Sequence, residues 1–357
     1  MSMNTLFSTN YSIVFNENAY SELNLFLHKQ HYSKLFILVD ENTNEHCLPQ
    51  FLPHLSTEIP IEIIELESGE IHKNIHNCME VWSILTELGG DRKSVLLNFG
   101  GGVITDLGGF VASTFKRGID FINIPTTLLG MVDASIGGKN GVDLGTLKNQ
   151  IGTITNPQMV VIDTRFLSTL PQNQMRSGLA EMLKHGLIFD AAFWHKMQDL
   201  TKLDSLDLDA LIHQAIMIKN EIVQQDPTEN GIRKALNFGH TLGHAIESYF
   251  LENDTKTTLL HGEAIAVGMV LESYLSLEKK LISAEAYFEI KAVLKSLFGT
   301  VEILENDLSP ICDLLIHDKK NEYGKVQFAL LNGIGQVKIN QEVAIPIIMS
   351  AFKDYKS

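Results

Sequence analysis

Hydrophobic residues in the first half of the chain fall into short runs separated by amphipathic stretches. Six of these runs are rich in β-branched residues and end in Gly, Pro, Asp or Asn, which predicts strands: SIVF, KLFILVD, IEIIEL, SVLLNFGGG, FINIP and MVVID. The stretches between them, such as residues 17–30 and 72–88, show helical spacing. Strands that alternate with helices predict a mostly parallel sheet with helices on both faces.

After residue 174 the hydrophobic spacing changes to a period of 3.6, which predicts helices. The predicted helices are QMRSGLAEMLKHGLI, LDALIHQAIMIKNEIVQQ, RKALNFGHTLGHAIESYF and HGEAIAVGMVLESYLSL, and a hairpin, GKVQFALLNGIGQVKIN, is predicted near the end. A chain of 357 residues also exceeds the usual size of one core. We therefore expect a first domain over residues 1–170 and a mainly helical second domain over 171–357, with the boundary near Pro171.

Composition restricts the possible partners. The formal net charge of −15 argues against nucleic acid, because phosphate backbones require a basic face. A small anionic substrate remains possible in a cleft with local Lys and Arg.

The cysteines Cys47, Cys78 and Cys312 are far apart, as in a reducing compartment. The first residues do not resemble a signal peptide and no apolar run reaches the length of a membrane span, so we expect a cytoplasmic protein.

A glycine-rich turn, Gly100 to Gly102, joins a predicted strand to a predicted helix. Glycines allow a diphosphate to approach the backbone closely, and the helix N-terminus offers N–H groups and a positive dipole. The turn lacks the G-x-G-x-x-G pattern, and a tight strand–helix connection explains the glycines equally well.

Polar residues follow several predicted strands, where open α/β sheets bind ligands. Asp40 ends one strand, at a position that suits a bond to ribose hydroxyls. The other residues in such positions are Asn42, Glu70, Lys73, Thr126, Thr127, Asp133 and Lys139. Together they favour a nucleotide site, although Asp40 or Thr127 taken alone is explained by helix capping.

Histidines at helical spacing indicate a metal site. His240 and His244 are four residues apart and share a helix face, and His261 begins the next predicted helix. With Glu181 from a further helix, two of these imidazoles make a catalytic divalent site, most naturally for Zn²⁺. Spacing alone does not choose between His240 and His244, and each histidine is also compatible with an ordinary structural role.

Cations accumulate in the same segments: Lys139, Lys148, Lys184, Lys219 and Arg233. Lys184 lies one helical turn after Glu181, and Arg233 and Asn237 lie on the face that leads to His240. An isolated lysine is usually a solvated surface charge. A metal surrounded by several cations predicts a substrate with at least two negative groups.

Seven segments together resemble the 3-dehydroquinate synthase family of sugar phosphate cyclases. They are GGGVITDLGGF, RGI at Arg117, IPTTLLGMVDASIGGK, LAEMLKHG, NFGHTLGHAIE, HGEAIAVGM and DKK. The resemblance implies an N-terminal Rossmann-like NAD-binding α/β domain, an all-α C-terminal metal-binding domain, NAD, one Zn²⁺ or Co²⁺, and a homodimer. It further implies conversion of 3-deoxy-D-arabino-heptulosonate 7-phosphate to 3-dehydroquinate and phosphate. In that reaction the substrate is transiently oxidised, loses phosphate, is reduced again and closes by an aldol step.

The resemblance also assigns residues. It implies Glu181, His240 and His261 as metal ligands, which leaves His244 for proton transfer and phosphate contact. It implies NAD contacts from Asp40, Asn42, Glu70, Lys73, Gly101, Gly102, Val103, Asp106, Thr126, Thr127, Leu129, Lys139, Lys148 and Thr169. It implies substrate contacts from Asp133, Lys139, Asn149, Lys184, Lys219, Arg233, Asn237 and a lysine of DKK, for which we favour Lys319 over Lys320. Arg117 would reach the site of the neighbouring subunit.

Some positions depart from the family pattern, including LKN at 147–149, Asp143 in GVD, the segment IGTITNP, and a longer loop before His261.

Three other functions are alternatives to a 3-dehydroquinate synthase. A metal-dependent polyol or alcohol dehydrogenase would release NADH stoichiometrically and would not need the surrounding cations. A related cyclase would act on a substrate without a carboxylate. A catalytically inactive NAD-binding regulator would not release phosphate.

Overall fold

The computed structural model describes residues 5–145, 147–198, 205–315 and 326–356. The chain divides into two compact units, Met1–Met175 and Arg176–Ser357. The first is an α/β unit built on a parallel sheet and the second is mainly helical, as the hydrophobic pattern predicted. None of the helices that the structure describes is both long enough and apolar enough to cross a membrane.

The described residues of the first unit form nine strands, and all six predicted strands are confirmed. They are β1 (Leu6–Phe7), β2 (Ser12–Phe15), β3 (Leu35–Asp40), β4 (Ile61–Leu66), β5 (Val95–Gly100), β6 (Asp120–Pro125), β7 (Lys139–Leu144), β8 (Leu147–Ile154) and β9 (Met159–Ile162). Seven of them form one sheet in the order β1-β2-β9-β6-β5-β3-β4. Its pairs are parallel except for β1 with β2.

Helices of the first unit are α1 (Asn16–Gln30), α2 (Glu41–His46), α3 (Leu48–Phe51), α4 (Ile75–Glu87) and α5 (Gly102–Thr114). Every residue of β5 is buried, because a central parallel strand has both faces covered. One core cluster joins Leu38, Leu96, Val81 and Leu107 from β3, β5, α4 and α5. Burying such a side chain stabilises the fold by about 1.5–3 kcal/mol.

An antiparallel hairpin, β7–β8, was not predicted. Its sequence, KNGVDL followed by LKNQIGTI, is too polar for the strand pattern, although Val142 lies in the core, and side-chain hydrogen bonds join its two ends. The buried amide of Asn140 donates to Gly138 O at 2.9 Å and to Thr155 O at 2.8 Å. Lys139 therefore begins a strand, and the prediction that it follows the end of one was wrong. A π-helical turn, Gly130–Ala134, holds Asp133 in the segment predicted as a loop.

Helices carried mainly by the second unit are α6 (Gln172–Phe189), α7 (Ala191–Met197), α8 (Ser205–Gln225), α9 (His240–Glu252), α10 (His261–Glu278), α11 (Ala284–Phe298), α12 (Leu308–Leu314) and α13 (Ile345–Lys356). The predicted hairpin is confirmed as β10 (Gln327–Leu331) and β11 (Val337–Glu342). The unit is thus helical apart from this hairpin in its described part.

One predicted helix, RKALNFGHTLGHAIESYF, is broken in the structure. Residues Ile232–Asn237 form a 3₁₀ turn, and α9 begins only at His240. Gly239 between them has a φ of +79°, a conformation that favours glycine. The prediction that Arg233 and Asn237 share a helix face with His240 was therefore wrong, and His240 lies in the first turn of its helix.

Candidate metal centre and dinucleotide-binding edge

Glu181 and two histidines converge from three helices of the second unit. Glu181 in α6 is fully buried. Its Oε1 lies 3.5 Å from Nε2 of His240, in α9, and 3.7 Å from Nε2 of His261, in α10. These are the three residues that the resemblance implied as metal ligands.

Hydrogen bonds at the opposite ring nitrogens set the orientation of both imidazoles. Nδ1 of His240 lies 3.1 Å from the carbonyl oxygen of Phe238, which accepts only, so this nitrogen carries the proton. Nδ1 of His261 lies 3.2 Å from Oε2 of the buried Glu247. In the neutral rings both Nε2 atoms then present a lone pair to Glu181 Oε1, as in metal sites with carboxylate- or carbonyl-oriented histidines.

The two separations between Glu181 Oε1 and the imidazole nitrogens fit a divalent cation. Tetrahedral zinc bound at its usual distances to N and O holds its ligand atoms about 3.4 Å apart. The separations of 3.5 Å and 3.7 Å around Glu181 Oε1 are close to that value. A set of two imidazoles and one carboxylate suits Zn²⁺ or Co²⁺ and leaves a further position for a substrate oxygen.

The electrostatics of His261 also favour a cation. Burial by itself lowers the pKa of this imidazole, but the carboxylates of Glu247 and Glu181 outweigh burial and raise the pKa to about 9. The same negative potential that retains a proton also attracts a metal ion, so proton and metal compete for Nε2.

His244 completes a cluster of three imidazoles. Its ring centroid lies 5.2 Å from that of His240 and 5.7 Å from that of His261. One nitrogen from each of the three rings falls within 4.8 Å of the others. His244 is therefore beside the candidate ligands, and the choice of His240 as ligand and His244 as proton carrier stays a prediction.

Lys184 and Glu181 form a buried ion pair within α6. The ammonium of Lys184 contacts Oε2 of Glu181, whereas both histidines face Oε1. The two oxygens of this carboxylate thus have separate partners, and the prediction that Lys184 shares a helix face with Glu181 is confirmed.

Three other predicted substrate residues lie on elements of the same unit. Lys219 is buried in α8. Arg233 is buried before α9, where its guanidinium donates to Pro227 O at 2.7 Å and its N–H donates to Asp226 at 3.0 Å. The amide of Asn237 donates to Glu229 Oε1 at 2.8 Å. Lys319 and Lys320 lie outside the described residues.

In the first unit, the glycine-rich turn lies at the carboxyl edge of adjacent strands. β5 ends at Gly100, and α5 begins at Gly102 with Gly101 as its N-cap. A Cβ at Gly101 would lie 3.0 Å from Cγ2 of Thr127, which follows the neighbouring β6. Val103 and Asp106 lie in the first turns of α5, Thr126 follows β6 directly, and Leu129 comes shortly after it. The edge therefore combines an open helix N-terminus with close backbone approach, which suits a diphosphate.

Asp40 and Thr127 both act as local caps. Oδ1 of Asp40 accepts from Thr43 N–H at 2.7 Å, and burial raises the pKa of this carboxyl. Oγ1 of Thr127 accepts from Gly130 N–H at 3.0 Å. Capping explains their presence, and a role at a ribose stays a prediction.

A partly buried charge cluster around the buried Lys73 joins four of the predicted NAD contacts. Nζ of Lys73 lies 2.8 Å from Glu70 and 3.6 Å from Asp106, and Lys148 lies 3.1 Å from Glu70. Burial opposes the charge on Lys73, but Glu70, Asp106 and Asp143 outweigh it and raise the pKa of this ammonium. Burial likewise opposes the charge on Glu70, and the two lysines nevertheless hold the pKa of its carboxyl below its usual range.

Asp143 belongs to this cluster although it was not predicted as a site residue. Its Oδ1 lies 3.9 Å from Lys73 Nζ and accepts from the N–H of Asn149 at 2.6 Å. Its own N–H donates to Lys73 O at 2.9 Å. A charged residue inside the strand GVDL was the available signal. Asp143 therefore fixes the hairpin that carries Lys148 and Asn149 against the loop that carries Glu70 and Lys73.

The remaining predicted residues are more dispersed within the first unit. Thr169 is exposed at the end of a 3₁₀ helix, Thr164–Thr169, with its Oγ1 3.7 Å from Cys47 Sγ. Asn42 is exposed in α2, and Lys139 is exposed at the start of β7. Arg117 is exposed in the turn after α5 and has a φ of +74°.

Family models cover most of the chain. Residues 63–177 match the 3-dehydroquinate synthase N-terminal model and residues 178–321 match the 3-dehydroquinate synthase C-terminal model. The chain is 42% identical over 343 residues to a 3-dehydroquinate synthase of Parabacteroides distasonis, which covers 94% of this chain and 95% of that protein. It is 38% identical to a 3-dehydroquinate synthase of Alkaliphilus metalliredigens, with 85% of each chain covered.

Solved structures share the fold. A 2-epi-5-epi-valiolone synthase from Streptomyces hygroscopicus, solved with NAD⁺ and Zn²⁺ bound, has a TM-score of 0.82 at 25% identity and covers 100% of this chain and 99% of its own. A 2-deoxy-scyllo-inosose synthase has a TM-score of 0.84 at 24% identity, with 98% and 100% covered. An NADH-dependent butanol dehydrogenase from Thermotoga maritima has a TM-score of 0.68 at 14% identity, with 99% and 98% covered. The fold alone therefore does not separate cyclases from dehydrogenases.

Proposed function

Because the chain belongs to the 3-dehydroquinate synthase family, we propose that it converts 3-deoxy-D-arabino-heptulosonate 7-phosphate to 3-dehydroquinate and phosphate. The enzyme is a lyase, and its product feeds aromatic amino acid synthesis by the shikimate pathway. The observation that carries the proposal is the convergence of Glu181 Oε1 on two oriented imidazoles in a chain with this family match.

We propose residues 171–357 as the metal- and substrate-binding domain, with Glu181, His240 and His261 as ligands of a Zn²⁺ or Co²⁺ ion. The buried carboxylate of Glu247 and the carbonyl of Phe238 orient the two imidazoles. A related synthase of the same fold that was solved with NAD⁺ and Zn²⁺ supports this cofactor pair. When bound, NAD would take a hydride from a substrate carbon and return it, while the metal ion polarises the oxygen on that carbon.

We propose residues 1–170 as the NAD-binding domain. The N-terminus of α5, opened by Gly101 and Gly102, would hold the diphosphate through its N–H groups. Asp40, at the end of β3, would accept hydrogen bonds from the ribose hydroxyls. Lys73 and Lys148 supply positive charge, and the surrounding carboxylates keep both lysines oriented.

The substrate carries a carboxylate and a phosphate. The cations that we propose to bind these groups are Lys139, Lys184, Lys219, Arg233 and Lys319. The other proposed substrate contacts are Asn149, Asn237 and Asp133. Arg233 and Lys219 are buried, so their charges act with little screening by water. Their role is to orient the two anionic groups and to stabilise negative charge that develops as phosphate leaves. His244, next to His240 and His261, can move a proton between substrate and phosphate.

We further propose a cytoplasmic homodimer. Arg117 supports this assembly, because its side chain is exposed on a turn in which both Lys116 and Arg117 have positive φ angles. We propose that this exposed guanidinium contacts an anionic group of a second subunit.

One assay tests the function. Purified protein is supplied with NAD⁺, Zn²⁺ and the heptulosonate phosphate, and released phosphate and absorbance of NADH are recorded together. The synthase releases phosphate with no net NADH. Formation of NADH in a stoichiometric amount would instead identify a dehydrogenase. A different cyclase would be identified if a substrate without the carboxylate released phosphate as fast as the heptulosonate phosphate does.

A further inference from the structure

The first turn of α9, which carries His240, has no cap from its own residues. Its N-cap is Gly239, and no side chain of the helix itself caps this end. The first N–H groups of any helix lack intrahelical partners, and a buried N–H group without a partner is costly. The partners must therefore come from another element.

Glu272 in α10 supplies them. This carboxylate is fully buried. Its Oε2 accepts from Gly239 N–H at 2.7 Å, and its Oε1 accepts from Leu242 N–H at 3.1 Å. These are the N-cap and N3 groups, the same two donors that a capping box satisfies from within a helix. The negative charge also lies at the positive end of the α9 dipole.

Close backbone packing allows this short reach. A Cβ at Gly268 would lie 2.0 Å from the carbonyl oxygen of Gly239, and a Cβ at Gly243 would lie 3.1 Å from the carbonyl oxygen of Ala264. At the other end of the same helix pair, Glu247 of α9 contacts Nδ1 of His261 at the start of α10. Each helix therefore receives a buried carboxylate from the other at its first turn, beside a candidate ligand.

We propose that Glu272 is a positioning residue for the metal centre. By holding the N-cap and N3 groups of α9, it fixes the first turn of the helix in the orientation that directs His240 Nε2 toward Glu181 Oε1. It does not touch the metal. The inference rests on the proposed metal-binding function, and it adds a residue that neither the spacing of the histidines nor the family resemblance assigned.

The test is a titration of the metal-free protein with Co²⁺. Binding is monitored by the visible d–d absorption of the bound Co²⁺ and by competition with a chromophoric chelator. Glu272→Gln has a single acceptor oxygen, and its amide N–H₂ group faces a backbone N–H group. We expect its Kd for Co²⁺ to rise about 10- to 100-fold, as for other residues that orient metal ligands, with an altered absorption band. Glu272→Asp keeps two acceptor oxygens on a shorter side chain, so its loss of affinity is expected to be smaller.

Ser276→Ala is the matched control. Ser276 is buried one turn further along α10, where its hydroxyl donates to Glu272 O at 2.8 Å and accepts from Leu331 N–H at 3.0 Å. Its loss lowers Tm without changing the first turn of α9, so its affinity for Co²⁺ should match the wild type. The Kd for NAD⁺ should be unchanged in all three variants, since Glu272 acts through α9.

The outcomes are distinguishable. A Glu272→Gln protein with lowered Tm but wild-type affinity and spectrum for Co²⁺ would assign Glu272 a purely structural role and overturn the inference. If Glu272→Gln does not fold, Glu272→Asp decides, because weaker Co²⁺ binding than in Ser276→Ala supports positioning and equal binding contradicts it. Wild-type protein that binds no Co²⁺ at all would instead remove the proposed metal centre.

Discussion

The first unit gathers its candidate ligand-binding residues at the ends of parallel strands, whereas the second gathers them on the packed faces of helices. At the strand edge, Gly101 and Thr127 meet because β5 and β6 are neighbours in the sheet. In the helical unit, Glu181 and His240 lie on different helices, and the contacts around His240 are specific buried ones: Phe238 O beside its ring and Glu272 of α10 at the start of α9. A parallel sheet thus aligns its site by topology, and the helical unit needs specific buried polar contacts to do so.

The two units also differ in how they treat buried charge. The first unit balances Lys73 with three carboxylates at 2.8, 3.6 and 3.9 Å. The second brings Glu181 toward two histidines whose other nitrogens are already bonded, and Lys184 contacts the second oxygen of Glu181. In the first arrangement two lysines face three carboxylates, whereas we propose that a metal ion completes the second. Substitutions in the two units should therefore have different signatures.

The largest effect is expected for Glu181→Gln, which removes the carboxylate from the metal centre. We expect metal retention to be lost and kcat/KM to fall by about 1,000-fold or more, since the metal contributes several kcal/mol to the transition state. Metal content by atomic emission and the phosphate-release assay measure both. Glu221→Gln, at an exposed site on α8, is the matched control. A metal-replete, active Glu181→Gln protein would refute the ligand assignment.

The next effect is on stability and belongs to the first unit. Lys73→Met removes the cation that Glu70, Asp106 and Asp143 share and leaves only Lys148 of the two clustered lysines, so we expect a loss of about 3–5 kcal/mol in the free energy of unfolding. Denaturant unfolding measures the loss. Adding Asp143→Asn removes one of the carboxylates and should restore part of it. A double variant no more stable than Lys73→Met would show that Asp143 is not coupled to this lysine.

A smaller effect separates binding from folding. Gly101→Ala places a methyl group 3.0 Å from the flexible side chain of Thr127, at the proposed diphosphate position. A methyl group that obstructs a close contact costs about 1–3 kcal/mol, which corresponds to NAD⁺ binding roughly 10- to 100-fold weaker. Calorimetric titration with NAD⁺ measures the affinity, and the Co²⁺ affinity serves as the internal control. Unchanged NAD⁺ binding would place the dinucleotide elsewhere.

The smallest effect concerns acid. Burial raises the pKa of Asp163, but hydrogen bonds from Arg165 and Tyr20 outweigh it and hold the pKa below its usual range. A lowered folded-state pKa contributes stability above the unfolded value of about 3.9, and this contribution is lost as pH falls through the folded-state pKa. Asp163→Asn should lower the free energy of unfolding by about 1–2 kcal/mol at pH 7 and converge with wild type in acid. Parallel pH profiles of the two proteins would contradict this.

The strand pattern predicted the first unit well because both faces of its sheet are covered, and a continuous apolar run such as LFILV results. It missed β7 and β8, where Val142 lies in the core but most other positions are polar and Asn140 donates hydrogen bonds to Gly138 and Thr155. Helical spacing identified α6 and α10, but it wrongly predicted that the helix of His240 begins before Gly239. A left-handed glycine is invisible to a periodicity of apolar residues, since it changes direction without changing polarity.

Candidate ligands were easier to predict than the groups that orient them. Glu181, His240 and His261 belong to short sequence motifs, and in the structure the Glu181 carboxylate lies close to both imidazoles. Glu247 and Glu272 are ordinary helical glutamates in sequence, and their function depends on which helix lies opposite. Tertiary contacts of this kind have no local sequence signature. Glu247 and Glu272 can therefore be recognised as orienting groups only once the packing of α9 against α10 is known.

The glycines between α9 and α10 limit how this enzyme can be altered. Gly239, Gly243 and Gly268 occupy a seam in which even a methyl group meets neighbouring atoms at 2.0 to 2.8 Å. A mutagenesis library aimed at new substrates has no freedom along this seam, where alanine would push the two imidazole-bearing helices apart. Engineering of specificity should therefore keep these three positions constant.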